Sequence, residues 1–146
     1  MLIDIYGELA TIPPFNPDLE KRLPDSVLRL CDRIIASSVV LIASPEYAHG
    51  VSGVMKNALD WMVGNESFVY KPVAVLNTSP RASIAHSALL ETLTTMSAQI
   101  VHDACITLPL LGSHSTEDAL VADQSIVEKI RGALHALQIA IGDAER

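Results

Sequence analysis

The segment Ser44 to Trp61, SPEYAHGVSGVMKNALDW, constrains the fold more than any other part of this chain. An unbroken apolar run, Val39 to Ala43, precedes it, as is typical of a strand buried on both faces of a parallel sheet. Apolar residues at helical spacing follow it: Val54, Met55, Ala58, Leu59 and Met62. The chain therefore passes from strand to helix across Pro45 to Gly53. This places the connecting loop at the carboxyl end of a strand, where open α/β sheets bind their ligands.

The rest of the chain alternates strands with helices. Strands are predicted at Leu2–Tyr6, Val39–Ser44, Pro72–Thr78 and Ala104–Pro109. Helices are predicted at Asp25–Ser37, Gly53–Val63, Ala82–Ser97 and Asp123–Ile141. Such alternation predicts an α/β fold with a parallel sheet and right-handed crossovers. Neither an internal repeat nor a linker divides the sequence, so residues 1–146 are predicted to form a single domain.

Composition and charge exclude several classes of protein. The net charge of −7 argues against a surface for nucleic acid or for an anionic membrane. No apolar run approaches the roughly 18 residues of a membrane span, and no basic and then apolar leader indicates secretion. The two cysteines are isolated in apolar surroundings, which favours buried thiols in a reducing compartment, and a cytoplasmic location is predicted. The histidines lack metal-ligand spacing, and no Ser/His/Asp or Cys/His arrangement points to a catalytic side chain.

Three motifs carry a family resemblance. PEY followed by a glycine-containing turn and the KNALDW helix resembles the NADPH-dependent FMN reductase family, as do PPFNPDLE at 13–20 and VAVLNTSPR at 73–81. The resemblance implies a flavodoxin-like three-layer sandwich with the strand order 2-1-3-4-5. It also implies FMN and NAD(P)H as cofactors. In such enzymes hydride passes from the nicotinamide to flavin N5, and electrons then go to a small acceptor such as a quinone, free flavin, azo compound or metal oxyanion.

The resemblance also assigns a role to the loop after the second predicted strand. It implies that the loop contacts the flavin ring through Pro45, Glu46, Tyr47, Ala48 and His49. Two of these depart from the family pattern, since Ala48 stands where asparagine is common and His49 is either a polar contact or simply solvated. The alternative is a surface turn in which Pro45 ends the strand.

The loop at 77–81 follows the next predicted strand. By resemblance it borders the pyrimidine side of the ring, which makes Ser79 and Arg81 candidates for cofactor binding. The alternative is a capping turn, because a hydroxyl before a helix satisfies free N–H groups in any case.

The helix Gly53–Val63 is implied to lie at a contact of a homo-oligomer, a dimer or tetramer. Trp61 is the expected anchor, with Lys56 and Asp60 nearby. The alternative for the two charged residues is an ion pair within the helix, since four residues separate them.

The family's flavin-phosphate loop has no counterpart in this sequence. Leu2–Tyr6 resembles the second strand of the fold, and a strand-helix-strand unit takes about 30 residues or more. The first strand and first helix are therefore expected to be missing, either because the chain is a shortened relative or because its true start lies upstream. Weak FMN binding is one expectation, and a flavodoxin-like interaction protein that has lost FMN is the alternative.

Without the first strand, the crossovers should place three connecting helices on one face of the sheet and only the last helix on the other. Part of that second face would then be bare, which predicts an oligomer that covers it.

Overall fold

The computed structural model describes residues 2–79, 81, 83–108, 110 and 116–144. The helices are α1 (Asp25–Ala36), α2 (Gly53–Val63), α3 (Ser83–Thr95), α4 (Glu117–Ala122) and α5 (Gln124–Ala144). The strands are β1 (Val40–Ala43), β2 (Glu46–Tyr47), β3 (Gly50–Val51), β4 (Pro72–Leu76) and β5 (Gln99–Ile100). Short 3-10 turns lie at Leu9–Thr11, Pro17–Leu19 and His102–Ala104. Among these elements, no helix has the length and apolarity needed to cross a bilayer.

A parallel sheet in the order β1-β4-β5 forms the centre of the domain. Val73 of β4 pairs with Val40 on one side and with Ile100 on the other. This arrangement corresponds to strands 3, 4 and 5 of the flavodoxin order. β2 and β3 form a separate antiparallel hairpin between β1 and α2.

Two apolar layers cover the sheet, because the side chains of β4 alternate between its faces. Val73 and Val75 join Ile42 in a core with the buried faces of α1, α2 and α3. Ala74 points to the other face and packs in a second core with Ala133 and Leu137, which α5 supplies. The predicted three-layer α/β fold is therefore confirmed, with three helices on one face and α5 on the other.

Part of the α5 face is uncovered within the described residues. In β1, Ile42 is buried, whereas its neighbours Leu41 and Ala43, which point to the opposite face, are exposed. Leu41 retains 41% of its surface in contact with solvent. The predicted bare aliphatic surface on this face is present in the structure.

α2 is fastened to the loop that precedes α1. Trp61 donates its indole N–H to the carbonyl of Pro13 at 2.8 Å, and its ring meets Phe15 edge-on at a centroid distance of 5.0 Å. The side chain is only 2% exposed. The prediction that Trp61 anchors a contact between copies is therefore wrong, because packing within the chain already buries it. Lys56 and Asp60 form the ion pair expected within the helix.

Two predicted strands are wrong. Residues 2–6 form no strand, and Leu2 and Ile5 are 95% and 85% exposed. In the flavodoxin order the second strand pairs only with the first, and the described residues place no strand beside this segment. It is tied instead to α1 by the Asp4–Arg33 ion pair at 2.6 Å.

Of the strand predicted over 104–109, Pro109 lies outside the described residues, and residues 104–108 show a single bridge, between Thr107 and Asn77. Regular pairing with β4 occurs earlier, at β5, and ends where the chain turns through His102–Ala104. α4 and the β2–β3 hairpin were not predicted, since both are short and carry no periodic apolar pattern.

Candidate functional site

A cleft of about 400 Å³ opens at the carboxyl ends of β1 and β4. It is lined by Ser44, Pro45, Glu46, Ala48, His49, Asn77, Thr78, Ser79 and Arg81. Two loops that are more than 25 residues apart in sequence thus meet at one edge of the sheet, as parallel strands require. Six of the seven predicted site residues line this cleft. The seventh, Tyr47, does not line it and is 68% exposed.

The β2–β3 hairpin forms the first wall of the cleft, and its turn is strained. The central residues Ala48 and His49 have φ angles of 49° and 59°, in the left-handed region. Two positive φ angles in a two-residue hairpin loop are typical of a type I′ turn, which favours asparagine and glycine. Asparagine tolerates this conformation better than alanine does, so alanine at position 48 adds to the strain of the turn.

Glu46 joins the hairpin to the first turn of α3. Its Oε2 accepts a hydrogen bond from the backbone N–H of Ala85 at 2.8 Å, and its Oε1 lies 3.0 Å from Nδ1 of His49. The free N–H groups at a helix start favour a carboxylate, so the bond from Ala85, and secondly the contact with His49, lower the pKa of Glu46. Oε2 therefore holds the hairpin against α3, while Oε1 contacts the turn of the hairpin itself. Glu46 lines the cleft as a structural clamp.

The loop after β4 forms the second wall and is fixed by its own hydrogen bonds. The buried Asn77 donates its backbone N–H to the carbonyl of Ile106 at 2.9 Å and accepts from the N–H of Leu108 at 2.7 Å. Its Oδ1 accepts from the N–H of Ser79 at 3.1 Å, and the Ser79 hydroxyl accepts from the N–H of Arg81 at 3.3 Å. The Ser79 hydroxyl thus bonds to an N–H that precedes the first residue of α3, Ser83, and Ser79 also lines the cleft.

Three lining residues were not among the predicted site residues. Ser44, Asn77 and Thr78 stand where β1 and β4 end, and position alone could have identified them, since the carboxyl ends of parallel strands share one edge. Ser44 is held by a contact of 3.2 Å between its hydroxyl and that of the buried Ser52, at the start of α2.

The lining offers both apolar and polar groups to a small ligand. Its volume lies within the range of small-molecule sites, about 300–1,000 Å³. Four of the nine lining residues carry a hydroxyl or an amide side chain (Ser44, Asn77, Thr78 and Ser79), Arg81 adds a guanidinium and His49 adds an imidazole. Among the described residues, no group of His, Cys, Asp or Glu is arranged to hold a metal ion.

The sequence model of the family described as NADPH-dependent FMN reductase matches residues 2–110, a range that includes every residue of the cleft. The chain belongs to this family. It is 36% identical over 76 residues to an NAD(P)H-dependent FMN reductase from Pseudomonas aeruginosa, covering 50% of this chain and 41% of that protein. It is 37% identical over 79 residues to a quinone reductase from Pseudomonas putida, covering 51% of this chain and 42% of that protein.

A solved structure supports the same fold. FerB, a flavoenzyme NAD(P)H:(acceptor) oxidoreductase from Paracoccus denitrificans, superimposes with a TM-score of 0.75 at 31% identity. The superposition covers 92% of this chain and 78% of FerB. The match to the two curated reductases, by contrast, spans about two fifths of their length.

Proposed function

We propose that this FMN reductase family member binds the isoalloxazine ring of FMN in the cleft and acts as an NAD(P)H-dependent oxidoreductase toward a small acceptor. The observation that carries the proposal is the convergence of the loops at 44–49 and 77–81, both inside the family match, on one polar cleft. Bound FMN would supply the redox chemistry, accepting hydride from NAD(P)H and passing electrons to a quinone or a similar acceptor. The chain's own residues bind and orient the ring.

The two walls have different roles in this proposal. The hairpin wall presents Pro45, Ala48 and His49 on a backbone that Glu46 fixes to α3. The opposite wall offers the hydroxyl of Ser79 and the exposed guanidinium of Arg81. Preformed donors of this kind hold a flavin in place and tune its electronics.

The cleft residues fit the ring better than they fit the phosphate. Phosphate sites in α/β folds use several backbone N–H groups at a helix start together with cationic side chains. Here the Ala85 N–H at the start of α3 bonds to the Glu46 carboxylate, which leaves the Arg81 guanidinium as the cationic group of the lining. We therefore expect the ring, rather than the phosphate, to dominate the affinity.

Comparing FMN with riboflavin tests this proposal, because the two ligands differ by the phosphate. Quenching of flavin fluorescence should show binding of both ligands, with affinities within roughly tenfold of each other, corresponding to about 1.4 kcal/mol. Arg81→Gln should weaken FMN binding, whereas Arg131→Gln, which changes an exposed arginine on α5, should leave it unchanged.

Oxidation of NADPH and NADH with a quinone as acceptor then tests the activity in the same preparation. No binding of either flavin at millimolar concentration would contradict the proposed function and favour the interaction protein without cofactor.

A further inference from the structure

A small cavity of about 10 Å³ adjoins the cleft. Ser44, Glu46 and Asn77 line both the cleft and this cavity, so the two spaces share a wall. His86, in the second turn of α3, adds a further polar side chain to the lining. The other lining residues are apolar: Val51, Val75, Leu76, Ala85 and Leu89.

The His86 ring has an unusual feature at this cavity. Its Nδ1 atom is buried and has no hydrogen-bond partner within the described part of the chain. Buried polar groups in folded proteins nearly always have a partner, either a protein group or an ordered water. The nearby Glu46 carboxylate is engaged elsewhere, by the Ala85 N–H and by His49.

The size and the lining of the cavity together indicate what occupies it. A space of about 10–15 Å³ is just large enough for one water when two to four polar groups surround it, whereas apolar cavities stay dry. We propose that this cavity holds a single structural water that donates a hydrogen bond to Nδ1 of His86 and bridges it to Ser44 and Asn77. An imidazole that accepts at Nδ1 while neutral carries its proton on Nε2.

This water gives His86 a role in the cleft although the side chain does not line it. The water adds a hydrogen bond to Ser44 and Asn77, whose side chains are also held by Ser52 and by the Ser79 N–H, and both residues line the ligand space. Water-mediated contacts are nearly as favourable as direct hydrogen bonds, so their loss is measurable. His86 is thus a positioning residue that acts on the cleft through Ser44 and Asn77.

The first test needs no ligand. A crystal structure of the wild-type protein at atomic resolution should show one water in the cavity, and ¹⁵N NMR in alkaline buffer, where imidazoles are neutral, should show the His86 proton on Nε2. In His86→Leu the water should be lost, and in the control His135→Leu, on the exposed side of α5, it should remain. A dry cavity in the wild-type protein, or a proton on Nδ1 bonded directly to a protein group, would overturn the proposal.

The second test rests on the proposed function and measures FMN affinity. His86→Leu should weaken FMN binding roughly fivefold, as expected for one lost water-mediated contact. His86→Gln, which keeps a polar group, should recover part of that loss, and His135→Leu should bind as the wild type does. Unchanged affinity in His86→Leu would overturn the positioning role. Absence of FMN binding by the wild type would contradict the proposed function alone, since the water and the tautomer are measured without ligand.

Discussion

Replacing Asn57 with alanine should loosen the loop before α1 from α2. The Asn57 side chain accepts from the backbone N–H of Phe15 at 2.8 Å and donates to the carbonyls of Pro13 at 3.0 Å and Ile12 at 3.3 Å. Trp61, one turn later, also donates to the Pro13 carbonyl. Asn57 therefore ties α2 to a segment more than 40 residues earlier in the chain.

The size of the effect follows from the bonds that are lost. A partly buried hydrogen bond contributes about 0.5–1.5 kcal/mol net, and a donor left without a partner costs about 1–3 kcal/mol. In Asn57→Ala the Phe15 N–H loses this acceptor, while the Pro13 carbonyl keeps its bond from Trp61. The bond to Ile12 is long and contributes least. We therefore expect the free energy of unfolding to fall by about 2–3 kcal/mol.

Urea unfolding followed by circular dichroism measures this change. Gln138→Ala, which removes an exposed amide side chain from α5, is the matched control and should stay within about 0.5 kcal/mol of the wild type. In the variant, hydrogen exchange at the Phe15 amide should also accelerate. If Asn57→Ala unfolds at the wild-type urea concentration with unchanged exchange at Phe15, the reasoning about this contact is refuted.

Further predictions concern the hairpin, the pH dependence of stability and assembly. Ala48→Gly should raise the free energy of unfolding by about 1 kcal/mol, because glycine adopts a positive φ without strain. The control Ala88→Gly, on the exposed face of α3, should lower the free energy of unfolding by a similar amount. If urea unfolding shows the same change in stability for both variants, the explanation is contradicted. Because the folded-state pKa of Glu46 lies below its ordinary value, stability should be lost as the pH falls from about 4.3 through that lowered pKa. Glu46→Gln should lose less stability than the wild type over this acid range. If thermal melts show the same loss of stability in both proteins, the role of Glu46 as a clamp is contradicted. Light scattering should show that the wild type is an oligomer and that Leu41→Lys, on the exposed part of the α5 face, weakens its assembly. A monomeric wild type would contradict the idea that a second copy covers this face.

The central part of the fold could be predicted from local patterns. The bounds of α2 match the predicted range Gly53–Val63, because its apolar residues recur at helical spacing and Ser52 precedes its first turn. β1 and β4 were also found to within a few residues, since unbroken aliphatic runs indicate interior parallel strands. The strand predicted at residues 2–6 is wrong because a strand needs a neighbouring strand to pair with, and an apolar pattern does not reveal whether that neighbour exists.

The site was predicted as a set of residues, but their roles depend on distant contacts. The hydrogen bond between Glu46 and Ala85 joins residues 39 apart, so no local pattern could reveal it. Tyr47 points away from the cleft because side chains alternate along β2, and the short hairpin left no periodic signal in the sequence. Trp61 was misread for the same reason, since its partner Pro13 is 48 residues away.

The central claim, that the cleft binds the flavin ring, is tested most directly by NMR. FMN added to ¹⁵N-labelled protein should shift the backbone amides of the cleft residues Ser44, Glu46, Ala48, His49, Asn77, Thr78, Ser79 and Arg81, and leave the amides of α5 unchanged. Perturbations confined to α5 or to the exposed face of β1, or none at millimolar FMN, would contradict the account.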